Sequence, residues 1–144
     1  MKILLDSNIF FSALIKADGV IAEIIFELSA THQLFISDAT FEELAEHQHK
    51  LIKASKLSLI QFETAKHFLL QRFTIVHSFS IPSELVNSAY LLVKEQDGDD
   101  MPFVAANDYL KSTLWTGDKP LYNHLKLKRY KRVMNTSEIR TIII

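Results

Sequence analysis

Short apolar runs alternate along this chain with longer segments in which apolar residues recur at helical spacing. Lys2–Leu5 is too short for a helix and predicts a buried strand, as do 34–36 and the β-branched Thr74–Val76. Thr113–Trp115 predicts a fourth strand and 132–134 a fifth. The pattern therefore distributes four or five short strands over the whole chain.

The segments between these strands are predicted to be helices. They begin near Ile9, at Val20, after strand two with Ser37 or Asp38 as the cap, at Ser58, at Pro82, at Asp99 or Asp100, and near Asp118. A last extended piece is expected at 141–144. Strands separated by helices pair in parallel through right-handed crossovers. We therefore expect an α/β fold, a three-layer α/β/α sandwich around a four- to five-stranded parallel sheet.

Composition narrows the possible functions. The 144 residues are 48% hydrophobic and 23% charged, which suits a single folded domain over residues 1–144. The chain has no cysteine, and this excludes a disulfide scaffold, a thiolate metal site and a cysteine nucleophile. No apolar run is long enough to span a bilayer, and a net charge of −1 does not by itself indicate nucleic-acid binding. We expect a cytoplasmic protein with no membrane partner.

Acidic residues that lie far apart in the sequence are predicted to meet at one edge of the sheet. Asp6 follows the first strand and Asp118 the fourth, so both lie where parallel strands end. Asp100 opens a helix, and crossover helices begin at that same edge. Glu42 and Glu43 lie in the first turns of the helix after the second strand. The topology alone therefore brings these carboxylates together.

Clustered carboxylates repel one another unless a cation offsets their charge. Mg²⁺ prefers carboxylate and water oxygens, and Mn²⁺ tolerates similar ligands. A divalent ion held in this way can activate water and stabilise the charge that develops on a phosphodiester. The acids therefore indicate a metal-dependent hydrolase.

The acids also lie in four short motifs. These are Leu-Leu-Asp6-Ser-Asn8, Phe-Glu-Glu43-Leu, Asp97-Gly-Asp99-Asp100-Met-Pro-Phe-Val-Ala-Ala and Leu-Trp-Thr116-Gly-Asp118. In this order, the motifs resemble the PIN-domain family over nearly the whole chain, and in particular the VapC-like toxin ribonucleases of bacterial toxin–antitoxin pairs. The resemblance implies that Asp6, Glu43, Asp100 and Asp118 are the catalytic, metal-binding acids, with Asn8, Thr116, Asp97 and Asp99 in supporting positions.

The same resemblance implies an activity and partners. It implies hydrolysis of RNA phosphodiester bonds by an endoribonuclease that uses Mg²⁺ or Mn²⁺. It also implies the toxin of a toxin–antitoxin pair, a homodimer that is silenced when its antitoxin inserts into the active-site groove.

Two pairs of acids remain open as ligands. Helical periodicity does not separate Glu42 from Glu43, and only the resemblance favours Glu43. Asp99 likewise remains an alternative to Asp100, because helix N-termini favour acids at both positions.

The residues that follow on the same helix are predicted to lie outside the site. Glu46 is expected to be a solvent-facing charge. His47 and His49 are two residues apart on a helix and therefore cannot share a metal ion.

Two other functions fit parts of this pattern. A catalytically silent PIN-like module that binds RNA or protein is disfavoured, because a scaffold gains nothing from repelling carboxylates. An aspartyl phosphotransfer domain with Asp6 as its nucleophile is disfavoured, because Asn8 cannot act as the acid/base of an Asp-X-Asp motif. A receiver domain would need an acceptor aspartate after the middle strand, where His77-Ser78-Phe79 stands.

Overall fold

The structure is a computed structural model that describes residues 1–143. Its strands are β1 (Lys2–Leu5), β2 (Gln33–Ser37), β3 (Thr74–Val76), β4 (Thr113–Trp115) and β5 (Val133–Met134). Its helices are α1 (Ser7–Ile15), α2 (Val20–Ser29), α3 (Asp38–Ser55), α4 (Leu59–Leu70), α5 (Ser83–Val93), α6 (Met101–Leu110), α7 (Lys119–Leu127) and α8 (Thr136–Thr141). Single 3₁₀ turns at Ser78–Ser80 and Gly98–Asp100 precede α5 and α6.

The strands form one parallel sheet in the order β3-β2-β1-β4-β5. The central strand β1 pairs with β2 and β4, so that Leu5 lies opposite Ile36 on one side and Trp115 on the other. The outer pairs, β2 with β3 and β4 with β5, are also parallel. All five strands therefore end at one edge, which we call the carboxyl edge of the sheet.

Helices cover both faces of the sheet. Ile3 and Leu5 of β1 contribute to a core with α1, α2, α3, α4 and α8, whereas Leu4 contributes to a second core with α5, α6 and α7. All three side chains are fully buried, which explains why this strand is continuously apolar. The predicted α/β/α sandwich around a parallel sheet is confirmed.

The extended piece predicted at 141–144 is wrong. Thr141 is the last residue of α8, Ile142 and Ile143 follow it without forming a strand, and Ile144 lies outside the described residues. The helix forms because the Asn135 side chain accepts the N–H of Glu138, while the Glu138 side chain accepts the N–H of Asn135. This capping box starts a helix at a place where the apolar C-terminal residues had suggested an extended segment.

No helix within residues 1–143 combines the length and the hydropathy needed to cross a bilayer.

Candidate active site

A cavity of about 560 Å³ opens at the carboxyl edge of the sheet, and we call it the acid cavity. Its walls come from the ends of β1 and β4, the first turns of α3 and the turn before α6. The acids that line it are Asp6, Glu42, Glu43, Glu46, Asp97, Asp99, Asp100 and Asp118, and Asn8 lies beside them. The structure thus brings every predicted acid to one place, while their role as ligands stays a prediction.

Asp6 lies deepest in the acid cavity. It follows β1, and its N–H donates to the carbonyl oxygen of Trp115 at 3.0 Å, which fixes its backbone to the neighbouring strand. Only 6% of the residue is exposed. Burial raises the pKa of Asp6, and the nearby charge of Asp118 raises it further, whereas a hydrogen bond from Thr116 opposes the shift. Asp6 stands at the N-cap of α1, but its side chain makes no capping hydrogen bond there.

Thr116 connects the ends of β1 and β4. Its hydroxyl donates to Asp6 Oδ2 at 2.7 Å and accepts the N–H of Asp118 at 3.1 Å. The residue is fully buried. Thr116 therefore orients one acid and positions the backbone of another, although it does not itself line the acid cavity.

Asp118 both caps helix α7 and lines the acid cavity. Its Oδ1 accepts the N–H of Leu121 at 3.1 Å, which caps α7, and its side chain also borders the acid cavity. A helix N-terminus carries partial positive charge, and the capping hydrogen bond holds this carboxylate in a fixed orientation.

The surroundings of the two glutamates differ. Glu43 is half-buried, and burial raises its pKa, with a further contribution from the charge of Asp6, while the nearby Ser7 hydroxyl opposes the shift. Glu42 is exposed at the cavity wall. Proximity to Asp6 therefore favours Glu43 as the fourth acid, in agreement with the resemblance.

The aspartates before α6 also differ. Asp97 Oδ1 accepts the N–H of Asp99 at 2.9 Å and so stabilises the 3₁₀ turn, while Asp99 itself is exposed. Asp100 is half-buried and makes no capping hydrogen bond to α6. Burial, followed by the charges of Asp6 and Asp97, raises the pKa of Asp100 to about 7. Burial and the neighbouring carboxylates therefore act in the same direction on Asp100.

The donor set suits a hard divalent cation. Within residues 1–143, no three aspartate, glutamate or histidine side chains are already closed into a metal-binding group. Mg²⁺ commonly keeps several waters and binds through only one or two carboxylates, so an open acidic cavity fits a hydrated ion. Burial, and then the charges of neighbouring carboxylates, raise the pKa values of Asp6, Glu43 and Asp100, and a bound cation would favour the charged forms that these surroundings disfavour.

Glu46 is exposed to solvent, as predicted, yet it and His47 also border the acid cavity. Glu46 and His47 follow Glu43 by three and four residues, and both contribute to the cavity wall. Residues at these spacings share one face of a helix. That spacing was the signal in the sequence that would have placed them at the site.

These features define a class of protein: an α/β/α sandwich whose parallel sheet carries a cluster of acids at its carboxyl edge. The family model of the PIN domain matches residues 4–137, and the chain belongs to this family. PIN domains are generally nucleases, and PIN nucleases generally use divalent metals.

A solved structure is similar to this chain in fold. This is the crystal structure of VapBC2 from Rickettsia felis bound to a DNA fragment from their promoter. The TM-score is 0.66 at 19% identity, and the match covers 94% of this chain and 98% of that one. No curated protein matches the chain.

Proposed function

We propose that residues 1–144 form one nuclease domain that hydrolyses RNA phosphodiester bonds with Mg²⁺ or Mn²⁺. We further propose that it is the toxin of a toxin–antitoxin pair, that it acts in the cytoplasm, and that it forms a homodimer.

The observation that carries the proposal is the electrostatic state of the acid cavity. Asp6, Asp100 and Asp118 come from three separate parts of the chain, yet the charges of Asp6 and Asp118 both help to raise the pKa of Asp100. Acids that only stabilised the fold would be paired with cations or solvated. Here they face one another across a cavity, which favours a role in binding a cation.

The proposed metal ligands are Asp6, Glu43, Asp100 and Asp118. A divalent ion at this place supplies activation of water and stabilises the negative charge that develops on a phosphodiester. The side chains of the protein hold and orient the acids for that purpose. Thr116 orients Asp6, and the N-terminus of α7 fixes Asp118.

Asp100 gives the site a pH dependence. Because its pKa is about 7, this side chain is largely protonated in weakly acidic solution and has to lose a proton before it can act as a charged ligand. Cation binding should therefore weaken as the pH falls below about 7.

The antitoxin proposal has separate support. The similar fold belongs to a chain of the VapBC2 structure, and the motifs of this chain resemble VapC-like toxins. An acidic cavity also attracts basic side chains, which gives a partner protein a physical means to block it.

The proposal is tested by RNA cleavage with Mg²⁺ or Mn²⁺, comparing the native chain with Asp6→Asn. We expect the substitution to lower kcat/KM by roughly a thousandfold, about 4 kcal/mol of transition-state stabilisation. Asp18→Asn is the matched control, because Asp18 is exposed between α1 and α2 and does not line the acid cavity. Equal cleavage by the Asp6 and Asp18 variants would contradict the proposal.

Matched pairs in the same assay separate the alternative ligands. Glu43→Gln should reduce cleavage far more than Glu42→Gln, and Asp100→Asn far more than Asp99→Asn, because the half-buried member of each pair feels the charge of Asp6. Absence of cleavage by the native chain with retained RNA binding would instead favour a silent binding module.

A further inference from the structure

A second cavity, of about 350 Å³, adjoins the acid cavity at the carboxyl edge of the sheet. Its walls come from the turn after β4, the first turns of α7 and the start of α8. Asp118 borders both cavities. An extended polymeric ligand bound in the acid cavity could therefore continue along the surface into the second cavity.

The wall of the second cavity is held in place by hydrogen bonds of the fold itself. The Tyr122 hydroxyl donates to Glu138 Oε1 at 2.6 Å and so joins α7 to α8. Trp115 Nε1 donates to Thr136 Oγ1 at 3.0 Å and ties the start of α8 to β4. The cavity is therefore formed before any ligand arrives, which lowers the cost of binding one.

The groups that face the second cavity differ from those of the acid cavity. Asn123 and Ser137 present an amide and a hydroxyl, both on exposed residues, and Lys119 adds a positive charge. An amide offers both donors and acceptors, which matches the edge of a nucleobase or the hydroxyls of a sugar. An ammonium group matches a phosphate.

We propose that the second cavity is a nucleotide subsite, which receives the ribonucleotide next to the phosphate that is cut. This inference rests on the proposed nuclease function and deepens it, because it assigns the side chains that set the nucleotide preference next to the cut. Asn123 and Ser137 hydrogen-bond the base or sugar, and Lys119 contacts the adjoining phosphate. A cavity near the lower end of the range for small-ligand sites suits one nucleoside.

The test measures affinity rather than cleavage. In the Asp6→Asn background, which is not expected to cut, we would compare Asn123→Asp with Asn87→Asp for binding of a labelled single-stranded RNA. Asn87 is an exposed residue of α5 that lines neither cavity, so it receives the same change of charge outside the subsite. We expect Asn123→Asp to weaken binding by about tenfold and Asn87→Asp to leave it unchanged.

A second variant and a kinetic readout complete the experiment. Ser137→Trp fills the second cavity from an exposed position and should also weaken RNA binding. In the catalytically competent chain, Asn123→Asp should raise KM and change the nucleotide preference at the cut site, with kcat altered little.

The outcomes separate the two proposals. If Asn123→Asp and Asn87→Asp bind RNA equally and cut at the same positions, the subsite is overturned while the nuclease function stands. If the native chain neither cuts nor binds RNA, the proposed function and the subsite both fall.

Discussion

The two edges of the sheet differ in whether their acidic side chains have a cationic partner. At the carboxyl edge, Asp6 and Asp100 lie in the acid cavity with raised pKa values and with other acids as their nearest charges. At the amino edge, before β4 and β5, Asp108 accepts hydrogen bonds from Tyr130 and from Arg132. One edge leaves its negative charge uncompensated, and the other pairs it.

The amino-edge network, which consists of Asn107, Asp108, Ser112, Tyr130 and Arg132, is internally satisfied. The Asn107 amide donates to the Tyr130 hydroxyl at 2.8 Å and to the Arg132 carbonyl at 3.0 Å, and it accepts from the Ser112 hydroxyl at 2.6 Å. Within residues 1–143, every buried side-chain polar atom has a hydrogen-bond partner.

The presence or absence of a cationic partner distinguishes polar residues that stabilise the fold from those that are available to bind a ligand. The amino-edge network contains its own cation, Arg132, so that its charges need nothing from outside. In the acid cavity, Asp6 accepts a hydrogen bond from the Thr116 hydroxyl, which orients the carboxylate without neutralising it. We therefore expect the first edge to control stability and the second to control activity.

The largest effect on stability is expected from Asn107→Ala. The substitution removes three hydrogen bonds and leaves the hydroxyl of the buried Ser112 without its acceptor, which should cost about 3 kcal/mol. Denaturant unfolding measures the loss, and the exposed Asn87→Ala provides the matched control. RNA cleavage per folded molecule should remain unchanged. A selective loss of cleavage would contradict the claim that the amino edge controls stability and the carboxyl edge controls activity.

A smaller effect of opposite sign is expected from Asp100→Asn. Since folding raises the pKa of Asp100 to about 7, the metal-free protein loses stability as the pH rises from about 4 through 7. Neutralising this half-exposed side chain should stabilise the metal-free fold by about 1–2 kcal/mol near pH 8, after allowance for solvent screening. Near pH 4 the gain should vanish, because the native side chain is then protonated when folded.

Unfolding in the presence of a chelator at the two pH values measures this difference. Asp99→Asn, at the exposed neighbouring position, is the control and should change stability little. A loss of stability in Asp100→Asn near pH 8 would mean that the charge of this carboxylate is compensated in the native protein.

The smallest effect is expected at the end of α6. Lys111 adopts a left-handed backbone with φ 53°, a conformation that favours glycine at the end of a helix. Lys111→Gly should therefore stabilise the fold by about 0.5–1 kcal/mol and leave cleavage unchanged. Lys94→Gly, at a right-handed position after α5, should instead destabilise, and thermal unfolding of the two variants tests the pair.

Much of the fold follows from local signals that tertiary packing does not override. Buried strands such as Lys2–Leu5 are continuously apolar, and α2 begins and ends where its apolar spacing does. Ends set by side-chain hydrogen bonds were harder to predict, because α8 depends on the reciprocal bonds of Asn135 and Glu138. The meeting of Asp6 with Asp118 was predictable, since parallel strands must end together.

The sequence could not show how deeply each acid of the site is buried. Glu42 and Glu43 are equivalent by helical periodicity, and only the packed structure shows that Glu43 is half-buried near Asp6. The amino-edge network could not be predicted either, because Asn107 and Asp108 find their partners Tyr130 and Arg132 at 22 to 25 residues along the chain, across α7, and only when β4 and β5 pair.

The most direct test of the account is the unfolding temperature as a function of Mn²⁺ concentration near neutral pH. A cation that binds only the folded acid cavity stabilises by about 2.7 kcal/mol at a hundred times its dissociation constant. We predict that the midpoint rises with Mn²⁺ in the native chain and in Asp108→Asn, whose acid lies at the other edge, but not in Asp6→Asn. An unfolding temperature that does not change with Mn²⁺, or that rises equally in the Asp6 variant, would contradict the claim that these acids hold a metal ion.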